Sequence, residues 1–167
     1  MTDAALADRL KATLRGLPGP VALVTTVDPV GAAPQGMLAS AVIPVSMDPP
    51  SMLVAINRSA SMHPTLAAAG RFCINVLGTS QAGVLALFSK AELRAQRFES
   101  DQWRYDAGLP WLPAACSSIF CRTASSSHFG THELFIGEVT EVVRGSGDIA
   151  DPMGWINGSP ARLGPIG

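Results

Sequence analysis

The sequence predicts a mainly β protein, built as an antiparallel barrel with short helices at its periphery. About six segments rich in β-branched or alternating apolar residues follow one another along the 167-residue chain. The connections between these segments are short, and helical spacing is confined to brief stretches. A parallel α/β sheet would instead need a crossover helix after each strand, so the antiparallel arrangement is favoured.

Residues 1–18 predict a helical appendage to the barrel. Leu6, Leu10 and Leu14 recur every four positions, which is the spacing of a short amphipathic helix. The rest of the chain, residues 19–167, has the length of one domain. A domain of this size buries a substantial core without the help of disulfides or a metal ion.

Strands are predicted where apolar residues alternate or β-branched residues cluster. Asp28-Pro29-Val30-Gly31 supplies a turn that joins the first two strands as a hairpin, and Met47-Asp48-Pro49-Pro50 supplies a corner before the third. A serine-rich loop is expected between the last two strands, and residues 158–167 have the composition of a loop. The predicted strands cover residues 21–27, 33–43, 51–57, 71–77, 116–124 and 133–143, and the predicted helices cover residues 64–69 and 81–89.

The composition indicates a protein that covers part of its surface with a second subunit. The chain has 12 basic and 13 acidic residues, a formal net charge of -1, and only 15% charged residues against 47% apolar ones. Soluble domains carry roughly 25% charged residues, so we expect a large apolar patch that a second copy covers. The near-zero charge also argues against nucleic acid as the main partner, because neutralising phosphates needs clustered Lys and Arg.

Other features argue against membrane, secreted, metal-binding and nucleotide-hydrolysing classes. No apolar run reaches the roughly 18 residues that span a bilayer, and the first residues lack the apolar core of a secretion signal. Cys73, Cys116 and Cys121 are odd in number and form no Cys-x-x-Cys pair, which predicts reduced thiols in a cytoplasmic protein and no metal site. The glycine motifs of P-loop and Rossmann proteins are absent from the sequence.

The most informative segment is residues 57–64, Asn-Arg-Ser-Ala-Ser-Met-His-Pro, which joins a predicted strand to a predicted helix. The Ser59 and Ser61 hydroxyls could converge there with the Arg58 guanidinium. Together with the Asn57 amide and the unpaired N–H groups of the helix start, they would cradle one phosphate. Serine before a helix also commonly serves only as the helix cap, and the residues alone leave that alternative open.

Three further features carry weaker functional signals. Residues 35–41 form a predicted strand of small side chains, which would let a flat ring lie against the backbone but equally suits close strand packing. His132 begins a predicted strand, where a single histidine is more often a structural residue than a catalyst. The run Ser125-Ser126-Ser127-His128 places serine beside histidine, but no Gly-x-Ser-x-Gly elbow supports a nucleophile–base pair.

Taken in order, these segments resemble the flavin reductase-like family, which has the FMN-binding split-barrel fold. The resemblance covers residues 19–163, nearly the whole chain, and it depends on five motifs in the family's order. The matching segments are Gly-Met-Leu-Ala-Ser-Ala at 36–41, the Ser-x-Asp-Pro-Pro corner at 46–50, the phosphate loop at residues 57–61 followed by His63-Pro64, the strand at 70–77, and Gly130-Thr131-His132 before the last strand.

The resemblance implies a homodimeric Greek-key split barrel that oxidises NADH or NADPH and reduces FMN or FAD. It also implies that the reduced flavin diffuses to a separate monooxygenase component. In the family the flavin ring rests along a strand and a corner, the phosphate tail lies on the loop and a basic–aromatic pair, and a residue matching His132 lies near the nicotinamide. The cofactor-binding residues implied in this way are Leu38, Ala39, Ser40, Ala41, Val42, Ser46, Met47, Asp48, Asn57, Arg58, Ser59, Ser61, Arg97 and Phe98.

Three positions depart from the family's pattern. Leu38 and Met62 stand where the family often has threonine, and Thr131 replaces the aspartate before His132. The loss of one neutral hydrogen bond is worth only about 1 kcal/mol, so we expect binding to survive each change separately.

Two alternatives to a reductase remain at the level of sequence. One is a split-barrel protein that holds flavin or haem without NAD(P)H turnover, such as a flavin carrier. The other is a barrel interaction subunit without a cofactor, against which the intact phosphate loop argues. The lack of a nucleophile–base pair fits a reductase, because the cofactor itself carries hydride chemistry.

Overall fold

The computed structural model describes residues 3–146 and 151–165. In these ranges the α-helices are α1 (Asp3–Arg15), α2 (His63–Ala69) and α3 (Ala82–Ser89), and 3-10 turns occupy Thr79–Gln81 and Ala91–Gln96. The strands are β1 (Gly19–Pro20), β2 (Ala22–Val27), β3 (Pro34–Ala39), β4 (Val42–Met47), β5 (Pro50–Asn57), β6 (Arg71–Val76), β7 (Arg104–Asp106), β8 (Leu109–Trp111), β9 (Ser117–Phe129), β10 (His132–Arg144), β11 (Met153–Ile156) and β12 (Ser159–Arg162).

Seven strands form the main sheet, in the order β3-β2-β6-β9-β10-β5-β4, with antiparallel neighbours throughout. The two edge strands, β3 and β4, follow each other in the chain and are separated only by Ser40 and Ala41. Because β3 also contacts β5, the sheet curls until its two edges approach each other. The result is a mainly antiparallel split barrel, and the predicted fold class is confirmed.

Two apolar clusters hold the barrel and its helices together. Inside the barrel, Phe72 and Phe135 are fully buried, and α2 closes one end with Leu66. Outside the barrel, α3 packs Phe88 against a cluster that includes buried Trp103. Burial of each such side chain stabilises the fold by about 1.5–3 kcal/mol. The second cluster fixes α3, and the segment that follows it, beside β3.

The structure corrects three predictions of secondary structure. Residues 33–43 are not one strand but parts of β3 and β4, because the chain crosses there to the other edge of the barrel. The serine-rich segment is not a loop, since β9 continues through it to Phe129 and pairs with β10. The described part of residues 158–167 contains β12, which pairs with β11. The strands β7, β8 and β11 were not predicted, because elements of three or four residues are too short to show a period.

Several predicted absences can be compared with the described residues. No helix in the described ranges has the length and apolar character needed to cross a membrane. No group of His, Cys, Asp and Glu side chains in those ranges has a geometry that could hold a metal ion. Cys73, Cys116 and Cys121 are all buried thiols. Burial raises the pKa of the Cys121 thiol to about 12, so this group stays protonated and unreactive at neutral pH.

Candidate functional site

The small-residue strand predicted at residues 35–41 lies at an edge of the barrel, where it lines an apolar cleft of about 220 Å³. We refer to this as the edge cleft. Leu38, Ala39 and Ser40 supply its floor, and Leu85 of α3 and the half-exposed Trp155 of β11 form walls on either side. The complete lining is Pro20, Val21, Leu38, Ala39, Ser40, Leu85, Ser89 and Trp155.

The other residues predicted to hold a ring lie along β4 and its corner. Val42 points into the barrel core, so only its backbone could meet a ligand. Ser46 stiffens the corner, because its hydroxyl accepts a 3.0 Å hydrogen bond from the Asp48 N–H and contacts the Asp48 carbonyl. Met47 beside it is 77% exposed. Neither Ser46, Met47 nor Asp48 lines the edge cleft, so one subunit does not bring the predicted strand and corner into the same cleft.

The phosphate loop begins where β5 ends and is shaped by Asn57. The Asn57 Oδ1 atom accepts hydrogen bonds from both the N–H and the hydroxyl of Ser59, each at 2.9 Å. This closes an Asx turn, the local arrangement that asparagine favours. The Asn57 side-chain carbonyl is therefore used within the loop. Arg58 is exposed, and its backbone N–H donates a 2.9 Å hydrogen bond to the Thr131 carbonyl.

Ser61 does not cap the helix that follows it. The cap position of α2 is Met62, which has helical backbone angles and makes no side-chain cap bond. The Ser61 side chain is exposed, and no hydrogen bond to it is found within the described residues. The alternative that serine serves only as a cap therefore does not hold at this position. The Ser61 hydroxyl is left available to a ligand.

A second cleft, of about 200 Å³, brings Ser61 together with Arg97 and Phe98. These two sequence-predicted segments lie 36 residues apart in the chain but face each other here. Arg94 also lines this cleft, and we call it the arginine cleft. Its complete lining is Pro34, Gln35, Gly36, Ser61, Arg94, Arg97 and Phe98.

Arg97 is held in place by the end of α3. Its guanidinium donates hydrogen bonds to the carbonyls of Phe88 at 3.1 Å and Lys90 at 3.2 Å, and it lies 5.0 Å from the centre of the Phe88 ring. Partial burial and the nearby charge of Arg94 lower the pKa of Arg97. The pair concentrates positive charge at one side of the cleft, which would attract an anion.

The sequence analysis did not identify Arg94. It lies three residues before Arg97 in the 3-10 segment Ala91–Gln96, and residues three apart align on one side of such a turn. If the segment had been predicted as helical, the spacing of three residues would have placed Arg94 on the same side as Arg97.

His132 is the first residue of β10 and lies beside the phosphate loop. It pairs in register with Asn57 on one side and with Phe129 on the other. Its Nδ1 atom is 2.9 Å from the Thr131 hydroxyl, so the threonine that replaces the family's aspartate still contacts the ring. The structure therefore groups His132 with the loop, in agreement with the order of the motifs.

Sequence reasoning also missed a polar cluster around Glu133. This carboxylate is only 6% exposed and accepts a 2.6 Å hydrogen bond from the Ser126 hydroxyl. The Nε2 atoms of His63 and His128 lie 2.6 Å and 3.0 Å from its other oxygen. These contacts, the Ser126 hydrogen bond first, lower the pKa of Glu133 to about 2 against the opposing effect of burial.

The cluster also argues against Ser126 and a neighbouring histidine as a nucleophile–base pair. The Ser126 hydroxyl contacts Glu133 and neither of the histidines. Assignment of residues 125–128 to a loop concealed the cluster, because only a strand places Ser126 and His128 on the same face as Glu133.

The fold and the two clefts fit the class of small β-barrel proteins that bind a planar ligand with an anionic tail. The chain belongs to the family described as flavin reductase like domain, whose model matches residues 14–164. The resemblance inferred from the motifs is therefore confirmed.

Individual relatives are also similar over most of the chain. The reductase component of an FADH(2)-dependent resorcinol hydroxylase from a Rhizobium species is 32% identical over 161 residues, which cover 94% of this chain and 87% of the relative. An NADH-dependent FMN reductase of Stutzerimonas stutzeri is 40% identical over 125 residues, which cover 74% of this chain and 71% of the relative. Among solved structures, an NADH:FAD oxidoreductase of Streptomyces globisporus in complex with NAD and FAD fragments has a TM-score of 0.84 at 26% identity, covering 99% of this chain and 97% of that chain.

Proposed function

We propose that this chain is an NAD(P)H-dependent flavin reductase that transfers a hydride from NADH or NADPH to FMN or FAD and releases the reduced flavin to a separate monooxygenase. The observation that carries the proposal is that one strand, β3, lines both clefts. Its first residues, Pro34, Gln35 and Gly36, face the arginine cleft, and Leu38 and Ala39 face the edge cleft.

The residues of the two clefts fit a flavin. A flat ring suits the edge cleft, because its floor has small side chains and its walls are apolar. A phosphate suits the arginine cleft, where Arg94 and Arg97 supply positive charge and Ser61 supplies a hydroxyl with no partner among the described residues. Because both clefts border one strand, a ligand with a ring at one end and a phosphate at the other would occupy them together.

The chain's residues would bind and orient the reactants. A bound flavin supplies the redox chemistry by accepting a hydride from the nicotinamide. The two reacting atoms need to lie about 3–3.5 Å apart. Leu38, Leu85 and Trp155 line the edge cleft and would keep water away from a ring bound there. We assign His132 to positioning that nicotinamide because it matches the family's residue for that role. Within one subunit it lies beside Asn57 at the end of the phosphate loop and does not line the edge cleft.

A second copy of the chain is proposed to cover the outer face of β4. Ile43, Val45 and Met47 alternate along this strand and are 53%, 48% and 77% exposed. The chain exposes 9468 Å² in total, whereas a compact monomer of this mass exposes roughly 7,900 Å², and this excess comes from the exposed α1 as well as from β4. With two copies joined along β4, residues 46–48 lie at the subunit boundary, where they can contribute to a flavin site that one subunit leaves incomplete.

A separate oxygenase as partner and a cytoplasmic location are also part of the proposal. The relatives named above include a reductase component of a hydroxylase, which supports a separate oxygenase as the consumer of reduced flavin. No charged side chain is among the described residues that line the edge cleft, so release of a reduced flavin would not require an ion pair to break there. The buried thiols support a reducing, cytoplasmic environment.

The test is an anaerobic assay that crosses FMN and FAD with NADH and NADPH. Oxidised flavin absorbance should fall faster with protein than without it in at least one combination. No acceleration with any combination would refute the reductase assignment, and flavin binding without turnover would identify a carrier instead.

A further inference from the structure

Glu133 has no role in the function proposed above, although its placement is unusual. Among the described residues it is the only Asp, Glu, Lys or Arg in the buried set. An ionised carboxylate in such a position is costly unless it is well hydrogen-bonded. The Ser126 hydroxyl donates to it, and the Nε2 atoms of His63 and His128 lie within hydrogen-bond distance of its other oxygen.

The contacts of Glu133 join three elements at one end of the barrel. Glu133 belongs to β10, and His128 lies directly opposite it on β9. Ser126 projects from β9 on the same face, next to Phe135. His63 comes from the first residue of α2, and its ring packs 5.9 Å from that of Phe135. The carboxylate therefore fastens the start of α2 to the β9–β10 hairpin.

The same hairpin is attached to the other end of the phosphate loop. The Arg58 N–H donates a 2.9 Å hydrogen bond to the Thr131 carbonyl. Residues 58–63 are thus held at both ends, once through Thr131 and once through Glu133. These two attachment points are the immediate neighbours of His132 on either side.

We propose that Glu133 is a positioning residue that couples the phosphate loop to His132. The inference rests on the proposed function, because it assigns a phosphate to the loop and a nicotinamide to His132. Its bond to His63 fixes the exit of the loop, and so the direction in which Ser61 faces the arginine cleft. His132 is adjacent to Glu133 in the chain, so fixing the Glu133 carboxylate also restricts the position of His132. Glu133 thereby aligns the phosphate loop with the proposed nicotinamide position.

A charge-removing variant tests this role. Glu133→Gln keeps the size and one acceptor of the side chain but loses the charge that strengthens its hydrogen bonds. We expect it to weaken FMN binding about tenfold and riboflavin binding less than about twofold, because only FMN uses the loop. The matched control is Glu138→Gln on the same strand, a half-buried residue paired with Arg122 at 3.0 Å, which should change neither affinity.

The kinetic readout separates positioning from support of the fold. In the Glu133→Gln variant we expect kcat with saturating FMN and NADH to fall about threefold or more, since His132 is also released. The loss of FMN affinity in the double variant Glu133→Gln, His63→Gln should not exceed the loss in the more affected single variant, because each substitution breaks the same bond between Glu133 and His63. If the losses of FMN affinity in the two single variants add in the double variant, the bond between Glu133 and His63 does not couple the loop to His132.

Two outcomes would overturn the proposal. Equal weakening of FMN and riboflavin would reduce Glu133 to a structural role, and unchanged FMN binding would remove any role in the site. If Glu133→Gln does not fold, Ser126→Ala is the substitute, because it removes one hydrogen-bond donor to Glu133 and keeps the carboxylate charge. This variant must then lose affinity for FMN and not for riboflavin. Absence of flavin reduction by the unaltered protein would instead refute the proposed function, and the comparison of the two ligands would remain interpretable.

Discussion

Removal of the Ser61 hydroxyl is the most direct perturbation of the predicted phosphate site. In the described structure this hydroxyl is exposed and makes no hydrogen bond to the protein, so Ser61→Ala should leave the stability of the fold unchanged. Ser61 and Arg97 both line the arginine cleft. The only expected loss is a contact to a ligand in that cleft.

The expected magnitude follows from the charge of the ligand group. A hydrogen bond to a charged group contributes about 1.5–3 kcal/mol, which corresponds to about a 10- to 150-fold loss of affinity for FMN. Riboflavin lacks the phosphate, so its affinity should change by less than about twofold. Titration of flavin fluorescence with each ligand measures both values.

Ser59→Ala provides the comparison within the same loop. The Ser59 hydroxyl already donates to the Asn57 Oδ1 atom, and the Ser59 N–H makes a second bond to that atom. The hydroxyl is therefore less available to a phosphate, and we expect a smaller loss of FMN affinity than for Ser61→Ala. Equal losses of FMN and riboflavin affinity in Ser61→Ala would show that the phosphate lies elsewhere, and no loss of either would exclude this cleft from the flavin site.

Three further outcomes are expected. In Gly137→Ala the new Cβ would lie 2.5 Å from the Phe72 ring, which should lower the free energy of unfolding in urea by about 1–3 kcal/mol, whereas Gly83→Ala in α3 meets no atom within 4 Å and should raise it by about 1 kcal/mol. The Glu133 pKa of about 2 is below the usual 4.5, so its stabilisation is complete above about pH 4.5 and is lost toward pH 2. The melting-temperature deficit of Glu133→Gln should shrink over that interval, and a constant deficit would contradict the assignment. His132→Ala should slow hydride transfer in stopped flow more than it weakens flavin binding, and the reverse order would move His132 out of the nicotinamide position.

Most strands were predictable because their signal is local. Alternating apolar residues predict both β6 and β10, and the structure contains both strands. β10 has one buried face over its first half, whereas β6 is buried on both faces. The turn before β3 was likewise signalled by the residues at its position, Asp28-Pro29-Val30-Gly31. The loop of residues 57–61 was singled out for the same reason, as its residues are contiguous, and its binding of a phosphate stays a prediction.

The polar cluster could not be predicted in this way. Ser126 and His128 have loop-like composition, and they belong to a strand because Glu133 satisfies them across the hairpin. Ser126 and His128 are exposed residues, and they reach the buried Glu133 carboxylate only because β9 pairs with β10, which is a long-range relation that no local pattern shows.

The amino-acid sequence by itself determined the mainly antiparallel β class, the family and the contiguous loop of residues 57–61, because each depends on neighbouring residues or on the order of motifs. The tertiary structure alone decided that Ser61 meets Arg94 and Arg97 in one cleft, and that residues 46–48 remain apart from the edge cleft. The physical reason is that these residues are distant in the chain, and their separation in space depends on how the sheet closes and how α3 packs against it.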